Sequence, residues 1–486
     1  MEVEQGIVNA LVENKHMLMA DGGWVLMTAR SANALLGSLV KNSGTVQAQT
    51  IANRNGRILL LGDMTSGTTQ VEGKLDASAP NGGDGGFIET SAARVNIGPK
   101  ASVTTQSVQG KYGQWLVDPV DFTVADSGGD MTSTTLQNNL GTSNVTLMSA
   151  AGATNGLGDV NINSSISWST NTTLTLTASN NVNINANMTA TGNTAGLVIN
   201  PSTTHTSGGV TQTANSAGVF NLLFGKSIKL TGSAPSLSIG GQSYTVINSL
   251  GTATSSGDGS LQGMRGNLSG YYALGSNIDA SATSGWNAGA GFTPIQQGGT
   301  GSIQFSGSIE GLGNTINDLY INSSNTYAVG LVPWLSSTGS IKNLGLVRGT
   351  VSAQSNAINI GSLVGTNYGT ILKSFSSANV LSGNSTSSIG GLVGGNAGNI
   401  IYSYASGHVT SGTYTLAFGG LSGDSSGTVT ESFATGNVLA GANSGGIATN
   451  YRGGGGLIGF ASGTVSGVYA TGSVTVSGYG QGVGGL

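Results

Sequence analysis

Few residues in this chain could do chemistry. The carboxylates worth weighing are Asp118 and Asp121 in "VDPVDF", Asp279 in "SNIDAS", Glu310 with Asp318, and Asp424 with Glu431. Clustered carboxylates are what polysaccharide-cleaving enzymes use, one as acid and one as base or nucleophile. However, aspartate before proline is a common turn former. Asp279, Glu310 and Asp318 are isolated, as solvated or turn residues are. From Gly361 to Leu486 the only carboxylates are Asp424 and Glu431, so no active groove is expected there. His16, His205 and His408 lie far apart and lack metal-ligand spacing. "FGKSIKL" (Phe224–Leu230) contains Gly-Lys-Ser, but Phe220 stands where a phosphate loop needs glycine. "GGDGGF" (Gly82–Phe87) is a single scrap of a calcium nonapeptide, a site that needs stacked copies. "GLGNTI" and "GGGGLIG" lack the following helix of a dinucleotide fingerprint. No catalytic residue, metal ligand or cofactor is expected.

Composition agrees with that reading. Only 7% of the 486 residues are charged, against about 25% in ordinary soluble chains. Glycine supplies 83 residues and proline 7, so neither collagen nor a proline-rich linker fits. The net charge of −4 comes without a basic stretch, which argues against nucleic-acid binding. There is no cysteine, which excludes disulfides, thiolate metal sites and cysteine nucleophiles. No apolar run approaches the ~18 residues of a transmembrane helix. The start, "MEVEQGIVNALVENKHMLMADGG", has no secretion signal.

What positions these residues is a repeat. Pentads like "GGLVG" begin at Gly361, Gly390, Gly419 and Gly455, with a last "GGL" at Gly484, in steps of 29, 29, 36 and 29. Fixed offsets accompany each start. Leucine follows at Leu363, Leu392, Leu421 and Leu457. An aromatic follows at Phe375, Tyr404, Phe433 and Tyr469, and valine at Val380, Val409, Val438 and Val474. The step of 36 is a 29 with seven residues inserted, within "GANSGGIATNYRGG". Each unit reads as three short strands separated by turns, with glycines at corners needing positive φ. Such a unit cannot bury its own apolar side chains, but a stack of units can, with equivalent residues forming ladders ~4.8 Å apart. The leucines belong inside; the spacing leaves open which way the aromatic ladder faces.

Upstream the rhythm is shorter. "VNIN" recurs at Val160 and Val182, a step of 22, and Asn163 and Asn185 are positioned to form an asparagine ladder. A short helix is predicted around Ala32–Leu39. The fold class is all-β, a right-handed parallel β-helix of roughly 17–22 coils at ~22–29 residues each. Its segments are 1–110, 111–200 with the 22-residue rhythm, an irregular 201–325, and 326–486 with the 29-residue repeat.

Several phrases together resemble the filamentous haemagglutinin family of two-partner secretion exoproteins. They are "NALVENKHMLMADGGWVLMTA", "LDASAPNGGDGGFIETSAARVNI", "GKYGQWLVDPVDFTVA" and "LSGYYALGSNIDASAT". The 29-residue units resemble the GLUG repeat, led in by "FSGSIEGLGNTINDLYI". The resemblance implies a right-handed β-helix exported by a partner outer-membrane transporter through an N-terminal region. It also implies an extracellular or cell-surface adhesin that binds a host glycan or surface protein. The family's secretion domain would then lie upstream, making this chain a fragment. The rival readings are a β-helical polysaccharide-degrading enzyme, a calcium-loaded solenoid and the shaft of an autotransporter passenger.

Overall fold

The structure, a computed structural model, describes residues 10–30, 37–149, 156–207, 210–212, 217–296, 303–445, 452–479 and 482–485. The chain divides into two compact units, Met1–Ser243 and Tyr244–Leu486. Each is built of parallel strands that pair with their counterparts in the next coil. That is a β-solenoid. Among the described residues it has about 15 turns, fewer than the 17–22 expected. Some coils are longer than the repeat: Leu197 pairs with Leu237 and Ile278 with Ile316, steps of 40 and 38 residues.

In the first unit the strands Trp24–Thr28, Arg57–Leu61, Phe87–Ser91, Gln114–Asp118, Asn144–Ser149, Thr173–Ala178, Gly196–Asn200 and Ser236–Ile239 form one face. Their period-two alternation puts every second side chain inside. Ile58, Ile88, Trp115, Val145, Leu174, Leu197 and Leu237 thus make a single buried column. Val160 pairs with Val182, and Asn185 donates to Asn163 at 2.8 Å. The predicted helix around Ala32–Leu39 is not found where it can be judged. Residues 31–36 lie outside the described residues, and Ser38–Leu39 open the strand Ser38–Asn42, where they pair with Ala10 and Leu11.

A helix stands elsewhere, at Ser133–Leu140. Thr132 caps it by accepting from the Thr135 N–H at 3.1 Å, satisfying one of the free donors of its first turn. Leu136 and Leu140 are buried, and Asn139 accepts from the Val103 N–H at 2.7 Å, tying the helix to the edge of Ser102–Thr104.

In the second unit each 29-residue coil contains five strands, not three. One coil runs Asn359–Gly361, Val364–Asn367, Thr370–Leu372, Phe375–Ser376 and Asn379–Ser382. The pentad is divided because the backbone folds back on itself there. Gly361 pairs with Gly390, Gly390 with Gly419 and Gly419 with Gly455. None of these glycines is in the left-handed region. They are needed because a methyl group on Gly390 would lie 2.1 Å from the Val393 carbonyl oxygen. At the bend Leu363, Leu392, Leu421 and Leu457 turn inward, at most 1% exposed. Their backbones form a column: Leu363 N–H donates to Leu392, Leu392 to Leu421 and Leu421 to Leu457, at 2.8–3.1 Å. Val380, Val409 and Val438 are equally buried and pair in turn, with Val474 next.

The positive-φ corners fall on other residues. Asn343, Lys373, Tyr402 and Glu431 form one ladder of left-handed residues, and Asn356, Ser385, Tyr414 and Asn443 another. Each corner N–H is spent on the neighbouring coil: Lys373 donates to Ile401, Tyr402 to Thr430 and Glu431 to Ser466. Glycine takes the same corner in the flanking coils, Gly313 before Asn343 and Gly467 after Glu431, both at positive φ, so the expected corner glycines occur and side-chained residues share their ladder. The coil above and below fixes the turn and holds side-chained residues in it, against a cost of about 1 kcal/mol or more each.

Candidate functional site

The aromatic ladder faces outward. Phe375, Tyr404, Phe433 and Tyr469 stack with centroids 4.7–4.9 Å apart and planes within 5° of parallel, while Ser376, Ala405 and Ala434 beside them are buried. At its start the stack rests on Gly345, where a methyl group would strike the Phe375 ring. The rings cover one another's faces and show their edges to solvent. They hold coils together but offer no platform on which a ligand ring could lie.

The structure scatters the sequence-flagged carboxylates. Asp118 is buried at 1% exposure. Asp121 takes a separate role: it accepts the N–H groups of Leu157, Gly158 and Asp159 at 3.2, 2.7 and 2.8 Å, pinning that loop. Asp84 of "GGDGGF" accepts the Lys111 N–H. Asp318 is half-buried and holds exposed Arg348 through two contacts of 2.7 and 2.8 Å, the strong fork geometry. Asp279 accepts the Ser281 N–H. Glu431 is a corner residue.

Glu310 is not solvated, as its isolation in the sequence implied, but 3% exposed. It accepts from the Leu312 N–H and the Asn343 amide at 3.0 and 2.8 Å. Burial pushes its carboxyl up to about 7, against those two hydrogen bonds and the charges of Lys342 and Lys373. His16 and His408 are exposed, with the His408 ring accepting from the Asn437 N–H, and His205 lies on the strand His205–Ser207. Among the described residues no three His, Cys, Asp or Glu side chains are grouped to hold a metal, and no helix is long and apolar enough to cross a membrane.

Among the clefts lined by polar side chains, two bring opposite charges together. The first, in the first unit, encloses about 530 Å³ between Thr68, Arg94, Asp121 and Asp130. Burial pushes the Asp130 carboxyl up. The Thr123 N–H that it accepts at 2.8 Å opposes this, the Asp121 charge adds to it and Arg94 counters it. Asp130 and Arg94 carry no motif; the fold alone brings them to Asp121.

The second cleft lies in the second unit. It encloses about 370 Å³ beside the pentad bends, lined by Ile358, Asn359, Thr366, Tyr368, Asp424 and Arg452 among others. Thr366, Gly395 and Asp424 are successive rungs of one ladder. Gly395 leaves a hollow into which the Asn359 side chain leans, its amide donating to Thr366 Oγ1 at 2.8 Å. Arg452 closes one side: its Nη1 lies 2.6 Å from Asp424 Oδ2 and 3.4 Å from Ser388 Oγ, and its guanidinium is 5.9 Å from the Phe460 ring centre. Burial raises the Asp424 carboxyl and Arg452 opposes it; at 2.6 Å the contact is that of an ionised pair. Arg452 comes from the seven-residue insertion, the one break in the 29-residue rhythm, and that break was the signal available in the sequence.

No family model matches the chain, and no curated protein does. Among solved structures it is similar to a Bacteroides ovatus protein described as a "putative immunoglobulin A1 protease", at 18% identity and a TM-score of 0.31, covering 46% of this chain and 81% of that one. A likeness of that size assigns nothing to this chain.

Proposed function

We propose that the chain is the shaft of a secreted or surface-attached bacterial exoprotein of the adhesin type, exported by a partner outer-membrane transporter. The observation that carries this reading is how the coils use their residues. Aliphatic ladders fill the interior, while Ser, Thr, Asn and Tyr side chains recur on the outside at each coil. A surface repeated every ~4.8 Å can hold a polymeric or clustered partner through many weak contacts. The filamentous haemagglutinin-like phrases support the same reading. The purified chain, incubated with host cells and extracellular matrix, should bind saturably. No binding to either would leave it a spacer only.

A second reading has one observation in its favour. The Asp121–Asp130–Arg94 cleft sets a carboxyl raised by burial near a hydrogen-bonded carboxylate, the contrast that glycan hydrolysis uses. Release of reducing ends from a polysaccharide panel, lost in Asp130→Asn, would establish it. Unchanged polysaccharide would end it.

A further inference from the structure

We propose that the Asp424–Arg452 cleft is a binding site for an uncharged saccharide unit. This rests on the adhesin reading and names the class of ligand that the shaft would hold. Three observations lead there.

The cleft is built where the repeat alone would leave none. From Gly361 to Leu486 the charged residues are Lys373, Asp424, Glu431 and Arg452. Two of these four meet in one hollow, at 2.6 Å. Neither belongs to the repeat: Asp424 aligns with Gly395 and Thr366, and Arg452 stands on the insertion. An ion pair among uncharged neighbours costs desolvation, and the aliphatic ladders stabilise the coils without it.

The charges cancel. A site with one carboxylate and one guanidinium, already paired, gains little from a ligand with net charge. What it offers is a dense set of fixed donors and acceptors: the carboxylate and guanidinium, the Asn359 amide and the Thr366 hydroxyl. Neighbouring hydroxyl groups on one sugar ring donate and accept at once, and match such a set.

The rim is apolar on the other side. Tyr368 is 43% exposed and Ile358 40%, and both line the same hollow. Tyr368 lies outside the ring stack, so its faces are not covered as those of Tyr404 and Phe433 are. A pyranose has this same division, hydroxyls on its edge and C–H groups on its face. At about 370 Å³ the hollow is at the small end of ligand sites, which begin near 300 Å³.

The test uses the full chain and a panel of neutral mono- and disaccharides (hexoses, N-acetylhexosamines and their dimers), with sialic and uronic acids as the charged arm. Saturation-transfer NMR and titration calorimetry read binding. We expect at least one neutral sugar to bind. Tyr368→Ala and Asp424→Asn should each weaken it tenfold or more, while Tyr402→Ala leaves it unchanged. Tyr368 is half exposed at a turn, so its variant keeps the test valid if Asp424→Asn fails to fold. The proposal is overturned by a panel that does not bind, by binding indifferent to Tyr368→Ala, or by binding confined to the acidic sugars. Cell binding without sugar binding sinks this site and spares the adhesin reading; sugar binding without cell or matrix binding does the reverse.

Discussion

The two units meet the same problem, a chain that must turn several times per coil, in different ways. Among the described residues the first unit has two non-glycine residues in the left-handed region, Ala52 and Ser202, and the second has thirteen. In the first unit the paired steps vary, from 22 residues between Val160 and Val182 to 40 between Leu197 and Leu237. Its corners also stack, Gly44 and Gly73 donating to Asn14 and Asn42 of the preceding coils at 3.2 and 3.1 Å, but the coils between them differ in length. In the second unit the steps hold at 29 from Gly361 to Gly419. A corner is then clamped by the copies beside it, and lysine, tyrosine and glutamate are tolerated there. Polar ladders are found both inside and outside: in the first unit Asn14 donates to Asn42 at 2.8 Å, both buried. Asn161, Asn183 and Asn221 lie on the half-exposed outer surface of the first unit. The chain Asn367–Asn396–Ser425 is buried in the second, at 2.7 and 3.0 Å. Stacking in register lets a protein bury such groups, because each side chain's partner is supplied by the equivalent position of the next coil.

The contrast can be broken most severely at the pentad. Gly390→Ala should cost about 3 kcal/mol or more, since its methyl would meet the Val393 oxygen at 2.1 Å and the Ser422 Cα at 2.6 Å. Gly225→Ala in the first unit meets open space and only a positive φ, and should cost about 1 kcal/mol. Denaturant unfolding with hydrogen exchange, to localise the loss, distinguishes the two. Comparable costs would show that the bend is not as tight as described.

Next comes pH. The folded-state value of Glu310, about 7, lies above the ordinary 4.5. Between these values the folded chain keeps a proton that the unfolded chain has lost. The stability of the second unit is therefore greatest below pH 4.5 as far as this group decides it, and falls by about 3 kcal/mol as pH rises through 7. Glu310→Gln should flatten that slope. A slope that persists in the variant assigns it to another group.

The asparagine ladders give a smaller contrast. Asn396→Ala leaves the buried Asn367 amide only its longer bond to the Asn399 carbonyl, at 3.4 Å, and should cost about 2 kcal/mol, whereas Asn185→Ala, half-exposed on the first unit, should stay within about 0.5 kcal/mol. Equal losses would remove the distinction between buried and surface ladders. Smallest is the corner: Tyr402→Asn should stabilise by about 0.5–1 kcal/mol, since asparagine enters the left-handed region readily. A loss of stability would mean that the exposed ring makes contacts worth more than its backbone strain.

What could be read from the sequence was what repeats. Equal offsets imply that Val380 and Val409 share a column, because identical coils stack in register, and no knowledge of three-dimensional neighbours is needed. Direction was harder. After buried Ile400, Ile401 and Tyr402 both face outward before buried Ser403, a break in alternation that falls on left-handed Tyr402. Such a kink does not appear in spacing. The clefts were not legible because their members share no motif. Arg452 and Asp424 are 28 residues apart, and Asp130 reaches Asp121 only through the coil geometry. Glu310 looked like a surface residue because nothing in "GSIEGLG" records that its strand is covered.

The ring stack has an optical consequence. Four aromatic rings, parallel and 4.7–4.9 Å apart, couple their electronic transitions, so near-ultraviolet circular dichroism from this column reports on four coils at once. A slip of one coil against the next would uncouple the rings and change the spectrum before any strand was lost. The chain thus carries an intrinsic gauge of its own register, readable without a label.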